Sequence, residues 1–421
     1  MPDLLARLRP DLDIGPSPLA ERPGLLVRDP FRFSDVAIVI PPLLARALVC
    51  FDGLHTRDQL RELLLRLTSS ARSAEEMASE LAGTLSSSGF LDDEVHRRLR
   101  RDRQARFAQA PIRSAAFAGS GYPAEGQALI QTLDAWMERG AGPHHPRTSN
   151  IGVAAPHASP SAGIDTYRAA YSALGATAED CTYVVLGTSH YGGLDRFGLT
   201  RKPFETPLGQ ATTDVGLMDD LARAVPGAVE VEDYCHAVEH SIEFQVIFLQ
   251  RLFGPAVRIL PILCGPFSCG AAALPPPAGG KTDHDAVQLP ERVGSVRDTL
   301  GALGQLHRRQ RGQLRWVLGV DMAHMGPRYG DAEKVRAGDT AMTEVASLDR
   351  ARLERIIAGD AEGFWKLAHR GGSDALKWCG SSPLYTFLRA VPEARGRVLH
   401  YDQWNIDETS VVTFAAVGFD A

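Results

Sequence analysis

The sequence has no paired cysteine spacing, no long apolar run and no excess of positive charge. Cys50, Cys181, Cys235, Cys264, Cys269 and Cys379 are scattered without a repeated interval, so reduced thiols are expected and a disulfide framework is not. The longest apolar runs, such as Val36–Cys50, are broken by prolines and an arginine and fall short of the ~20 residues that cross a bilayer. No membrane partner is expected. The opening MPDLLARLRPDLDIGP does not join a basic segment to an apolar one as a secretory signal does, and a cytoplasmic location is the default expectation. Lys+Arg at 45 against Asp+Glu at 51 gives a formal net charge of -6, which offers no global attraction to phosphate backbones, so nucleic acid is not an expected partner. No internal repeat is visible.

What is present is ordinary globular usage: 421 residues, 44% hydrophobic and 23% charged, enough for two or three domains and at least one large core. The first hundred residues read as a small unit. Short strands are expected at Leu25–Arg28 and Val36–Ile40, a helical stretch at Pro42–Cys50, and a turn at Phe51-Asp52-Gly53. Thr56 followed by Asp58-Gln59 opens a capped amphipathic helix through Leu60, Leu63, Leu64 and Leu67, and a second helix covers Ala74–Ser87 before Gly89. Gly89-Phe90-Leu91 has the pattern of a wing strand, and the segment resembles small winged-helix, PqqD-like domains; a helical appendage that only packs against the main domain is the alternative reading. The arginine-rich run His96–Arg113 reads as a solvated connecting helix. The boundary is placed there, with residues 1–112 as the N-terminal domain plus basic linker and residues 113–421 as the main domain.

From Ile151 onward strands and helices alternate, the pattern of an α/β domain with a mixed, largely parallel central sheet flanked by helices. Strands are expected at Ile151–Ala155, Tyr183–Leu186, Ile259–Leu263, Trp316–Val320 and Ser410–Val417. Helices are expected at Asp165–Leu174, Val215–Ala224, Ser241–Phe253 and Ala341–Ile357. The Pro- and Gly-rich stretch Ala271–Gly294 reads as an inserted surface loop.

Three of these strands run directly into a histidine: His157 after Ala155-Pro156, His190 after Gly187-Thr188-Ser189, and His324 after Asp321-Met322-Ala323. Ligands of open α/β sheets bind outside the carboxyl ends of the strands, so histidines delivered there can converge. Imidazoles suit transition metals, and Cys379 is the best candidate for a further ligand. It lies just before a helix expected at Leu384–Ala390, with Ser382 as N-cap and Pro383 at N1, where the helix dipole favours a thiolate. Glu239, His240 and Glu243, grouped at the start of the helix ending at Phe253, are either dipole-complementing charges or the outer partners that orient metal-bound imidazoles; His240 could also carry protons.

The segments Ala155–His157 (APH), Gly187–His190 (GTSH), Glu205–Gly209 (ETPLG) with Asp214, Glu239–Gln245 (EHSIEFQ), Val320–His324 (VDMAH) and Trp378–Gly380 (WCG) together resemble the Memo-like family, the group termed AmmeMemoRadiSam system protein B. The resemblance runs from about Arg113 to Ala421. It implies the fold of class III extradiol dioxygenases, with His157, His190 and Cys379 as the metal-binding set and His324 with Asp321 in the place of the catalytic acid/base. It also implies iron or copper, a redox role or phosphotyrosine-peptide binding, and the company of a radical SAM protein and an AMMECR-type protein. Three positions depart from the family pattern: Ala-Ser-Pro-Ser-Ala-Gly follows His157 in place of a Gly-Tyr run, Tyr191 replaces a second histidine, and Val320 replaces the serine before Asp321. The leading expectation is a non-haem Fe(II) protein, with copper as the alternative metal. A peptide or phosphopeptide adaptor, for which Arg201-Lys202 would be a basic rim, is the first rival. A ring-cleaving dioxygenase taking its carboxylate from Glu239 or Glu243 is the second.

Overall fold

A computed structural model of the protein describes residues 3–68, 70–138, 150–174, 181–268, 287–370 and 372–421. The chain divides into two units, Met1–Gln109 and Ala110–Ala421. In the first, strands β1 (Asp13–Pro16), β2 (Leu25–Arg28) and β3 (Ala37–Ile40) form an antiparallel sheet in that order. Helix Arg57–Thr68 starts with a reciprocal cap: Thr56 Oγ1 accepts from the Gln59 N–H at 3.3 Å, and Gln59 Oε1 accepts from the Thr56 N–H at 2.7 Å. It buries Leu60 and Leu64. The next helix begins earlier than its apolar pattern suggests, at Ala71, because Ser70 caps it through the Ser73 N–H, and it runs to Ser87. Gly89 turns the chain at φ +71°, the left-handed region that favours glycine. Leu91, expected in a wing strand, makes only an isolated antiparallel bridge with Leu8. The arginine run forms helix Glu94–Gln109, with Arg97 and Arg101 both donating to Glu94.

The second unit is a mixed α/β structure. Its strands are β4 (Asn150–Ala155), β5 (Thr182–Thr188), β6 (Phe197–Leu199), β7 (Phe204–Thr206), β8 (Gly209–Thr213), β9 (Val229–Val231), β10 (Arg258–Cys264), β11 (Leu314–Gly319), β12 (His324–Met325), β13 (Arg395–Asn405) and β14 (Val411–Asp420). At the centre β4, β11, β5 and β10 lie side by side and parallel. Antiparallel β14 flanks β4, and antiparallel β6 flanks β10. Helices cover both faces, which is why these strands are nearly continuous apolar runs. Side chains alternate between the two cores: Val184, Leu186, Leu260, Ile262, Trp316 and Leu318 pack on one side with helices Gly294–Arg309 and Ser381–Ala390. Tyr183, Val185, Ile259, Leu263 and Val317 pack on the other with helices Ile164–Ala173 and Glu243–Phe253.

Two glycines at strand ends allow a close crossing that positions the site. A Cβ on Gly319 would stand 2.1 Å from the Ser241 carbonyl oxygen, and one on Gly187 would stand 2.5 Å from Ser241 Oγ. Their bare backbones let the segment 239–245 lie directly against the carboxyl ends of β5 and β11. Of the stretch Ala271–Gly294, residues 271–286 lie outside the described residues, as does Cys269; Pro290–Arg292 is a 3-10 turn leading into helix Gly294–Arg309. No helix among the described residues is long and apolar enough to cross a membrane.

Candidate metal site

The parallel strands deliver their loops to one edge, and three histidines meet there. His157 follows β4 and His190 follows β5, while His240 arrives on the segment that crosses the strand ends. One ligand atom from each lies within 4.8 Å of the others. The His157 ring stands edge-on to His190 and His240, at centroid distances of 5.0 and 5.3 Å, while His190 and His240 are parallel at 5.1 Å.

Each ring is oriented through Nδ1. His157 Nδ1 meets the Gly319 carbonyl at 2.9 Å, and the Nδ1 atoms of His190 and His240 both meet the Glu239 carboxylate, at 3.1 and 3.0 Å. Facing an acceptor, Nδ1 carries the proton in the neutral ring, which makes Nε2 the atom that would bind a cation. Glu239 is buried and also accepts the backbone N–H groups of His190, His240 and Ser241. One carboxylate therefore fixes two imidazoles and the turn between them.

Cys379 stands beside this trio, with Sγ 3.3 Å from His157 Nε2 and 3.7 Å from the Asp321 carbonyl oxygen. Burial opposes ionisation of its thiol, but the charges of His157 and His324 and hydrogen bonds from His157 and His190 outweigh it, so it ionises well below the ordinary thiol range. Burial likewise opposes charge on His157, and Asp321 with the Cys379 sulfur reverses the balance and raises it to about 9. His190 is raised in the same way by Glu239 and Cys379, although its side chain is 29% exposed and solvent screens part of the effect. His157 and His190 take up protons because anionic groups stand beside them, whereas burial lowers the pKa of His240; a metal cation would meet the demand of the first two.

The structure places the expected residues unevenly. His240, grouped with the outer carboxylates in the sequence, joins His157 and His190 directly, and Glu239 is the residue that holds imidazoles. Glu239 and His240 are not in a first helical turn; helix Glu243–Phe253 starts after them. Glu243 faces away from the imidazoles. Its carboxylate pairs with Arg113 and accepts from the N–H groups of Ala116 and Phe117 and from Tyr122 Oη. Asp321 does not orient His324. It accepts the N–H groups of His157 and Ala158, and its Oδ2 lies 3.5 Å from His157 Nε2. His324 instead directs Nδ1 to the Met322 carbonyl at 2.9 Å and stands edge-on to Tyr329. The helix after Cys379 begins at Ser381 with Gly380 as its N-cap, so Ser382 and Pro383 lie inside the first turn; Ser381 occupies the N1 position expected of Pro383. Arg201 and Lys202 are paired with Asp219 and Glu232.

Arg113 was hidden among the arginines of its run. It is 1% exposed, and its guanidinium also donates to the carbonyls of His236 and Glu239 at 2.7 and 2.8 Å. The signal for it is Pro111, which separates it from the solvated helix ending at Gln109. His236, against this arginine, is buried and held neutral, its pKa lowered to about 4 by burial first and by Arg113. The unfolded chain binds this proton near pH 6.5, so stability is full above that pH and falls toward pH 4, by about 3 kcal/mol in all. Urea midpoints between pH 7.5 and 5 should decline in the wild type and decline less in His236→Gln; equal slopes would remove His236 as a source.

The fold and the site define an α/β protein with a cluster of imidazoles and a thiol at the carboxyl edge of a parallel sheet. The family model for the Memo-like protein matches residues 113–270. A MEMO1 family protein of Methanosarcina acetivorans is 32% identical over 312 residues, which cover 74% of this chain and 98% of that protein. One from Thermus thermophilus is 26% identical over 321 residues, 76% of this chain and 85% of that protein. One from Pyrobaculum arsenaticum is 34% identical over 158 residues, 36% of this chain and 56% of that protein. The chain belongs to the Memo-like family.

Proposed function

We propose that the protein is a non-haem metalloprotein that holds one transition-metal ion, Fe(II) before copper, between His157, His190 and His240, with Cys379 as a further ligand, and uses it in a redox or oxygen-linked reaction. The observation that carries this reading is the shared commitment of three Nδ1 atoms to Glu239 and the Gly319 carbonyl in rings whose ligand atoms lie within 4.8 Å of one another, which leaves Nε2 of each to bind a cation. An imidazole set with a thiolate beside it suits Fe(II) or copper over Mg or Mn. When bound, such an ion would supply Lewis-acid and one-electron chemistry.

The chain's own residues would orient and protonate. Asp321 holds the His157 backbone, Glu239 locks His190 and His240, and His324 is the acid/base group. Burial opposes charge on His324, and Cys379 and Asp321 raise its pKa, so it can hold a proton beside the sulfur. The kinship in fold to class III extradiol dioxygenases, a winged-helix role for residues 1–112, a cytoplasmic location, and partnership with a radical SAM protein and an AMMECR-type protein belong to the same reading. The ion pairs of Arg201 and Lys202 weigh against a phosphopeptide adaptor, since neither charge is left over for a phosphate.

Metal analysis of protein purified without oxygen tests the assignment. The wild type should carry about one equivalent of metal, and His157→Ala, His190→Ala and His240→Ala should each lower affinity by ~100-fold or more, with Cys379→Ala reducing it less. Full occupancy in both His190→Ala and His240→Ala would end the proposal.

A further inference from the structure

A cavity of about 230 Å3 adjoins the trio, shares His190 with it and is lined by Cys379 as well. Its other lining residues include flat apolar groups, Phe267, Trp365 and Trp378, and polar ones, Ser189, His369, Ser381 and Ser382. Ser381 opens the helix Ser381–Ala390 and is 5% exposed, yet its hydroxyl has no hydrogen-bond partner among the described residues. A buried hydroxyl left so costs about 1–3 kcal/mol, which a ligand oxygen would recover. Next to it, Pro383 has no N–H and Leu384 N–H is bound to the Gly380 carbonyl, which leaves the Ser382 N–H as a second donor at the positive end of the helix.

His369 supplies the complement. Its Nδ1 meets the Trp365 carbonyl at 3.1 Å, and the ring lies 3.9 Å from the Trp365 ring, which fixes its plane. Burial lowers its pKa, so the imidazole is neutral and Nε2 is an acceptor. Among the described residues no lysine or arginine lines the cavity, and the charge of His190 is already met by Glu239 and the Cys379 sulfur, so a ligand carboxylate would find no counter-charge of its own. The volume lies below the roughly 300–1,000 Å3 of drug-sized sites, which restricts the occupant to a small molecule.

We propose that this cavity is the substrate pocket of the metal site and takes a small, uncharged aromatic amide. Its ring lies among Trp365, Trp378 and Phe267, its carbonyl oxygen accepts from Ser381 and Ser382, and its N–H donates to His369. The assignment of a substrate role rests on the metal-site reading, whereas binding itself does not require the ion. Benzamide is the probe, titrated into the full-length protein with and without added Fe(II) while indole fluorescence is followed, since two tryptophans form the walls.

Saturable quenching is expected in both states, about fivefold weaker in Ser381→Ala and in His369→Leu, as the loss of one hydrogen bond implies. Trp365→Leu should abolish it, and in the metal-free protein benzoate should bind at least tenfold more weakly than benzamide, the uncompensated charge being worth roughly 1.4 kcal/mol or more. Absence of saturable quenching, equal affinity in Ser381→Ala, His369→Leu and wild type, or tighter binding of benzoate overturns the proposal. Metal content measured on Ser381→Ala should match the wild type. Loss of metal with benzamide binding intact speaks against the metal reading alone, and the converse speaks against the pocket alone.

Discussion

Glu239→Ala is expected to lower metal affinity by ~100-fold and to destabilise the fold by about 3 kcal/mol, more than the loss of a single surface carboxylate could do. The carboxylate is 2% exposed and is the shared acceptor for the Nδ1 atoms of His190 and His240 and for three backbone N–H groups. Without it, both rings are free to turn or to change tautomer, and the N–H groups of His190, His240 and Ser241 lose their acceptor. Burial opposes its charge, but the charges and hydrogen bonds of His190 and His240 hold its pKa well below the ordinary carboxylate range. Glu239→Gln should fall between, because the amide keeps one acceptor oxygen and places an NH2 where a second acceptor was. A chelator competition for affinity and a urea titration for stability separate the two effects. Wild-type metal affinity in Glu239→Ala would mean that the imidazoles are held by something else.

Arg113→Met should cost about 3–5 kcal/mol, because it leaves the buried Glu243 carboxylate without its counter-charge. Both side chains are fully buried. The same guanidinium donates to the His236 and Glu239 carbonyls and lies 5.0 Å over the Phe204 ring, so it anchors the segment that carries His240 as well as the helix behind it. The double variant Arg113→Met/Glu243→Gln should recover a part of this loss, since the amide oxygen can still accept from Phe117 and Tyr122 and no unpaired charge is left, while its NH2 takes the place of the oxygen that accepted from Ala116. Urea midpoints for the two single variants and the double variant form the cycle. Strict additivity of the two single effects would show that the pair is not coupled.

Much of the fold is legible in the chain because its strands are apolar on both faces. Runs such as Tyr183–Leu186 and Trp316–Val320 have no amphipathic alternation, and that pattern arises only where helices cover both sides of a parallel sheet. Helix starts were less legible. The helix after Cys379 begins at Ser381 rather than Leu384, because a backbone cap at Gly380 leaves no side-chain signal, and Ser70 extends the second helix of the first unit by three residues.

For the site, the sequence by itself determined that His157, His190 and His324 leave strand ends at the same edge, since the parallel strands share one direction. It also marked Glu239, His240 and Cys379 as the remaining reactive groups near them. Only the tertiary structure decided their roles. Gly187 and Gly319 admit the segment 239–245 against the strand ends, which sends His240 into the trio and makes Glu239 the common acceptor. The same crossing carries Glu243 away to Arg113. Adjacency along a chain records which residues travel together, whereas the direction of each side chain is set by backbone contacts from distant segments, and those contacts exist only once the chain has folded.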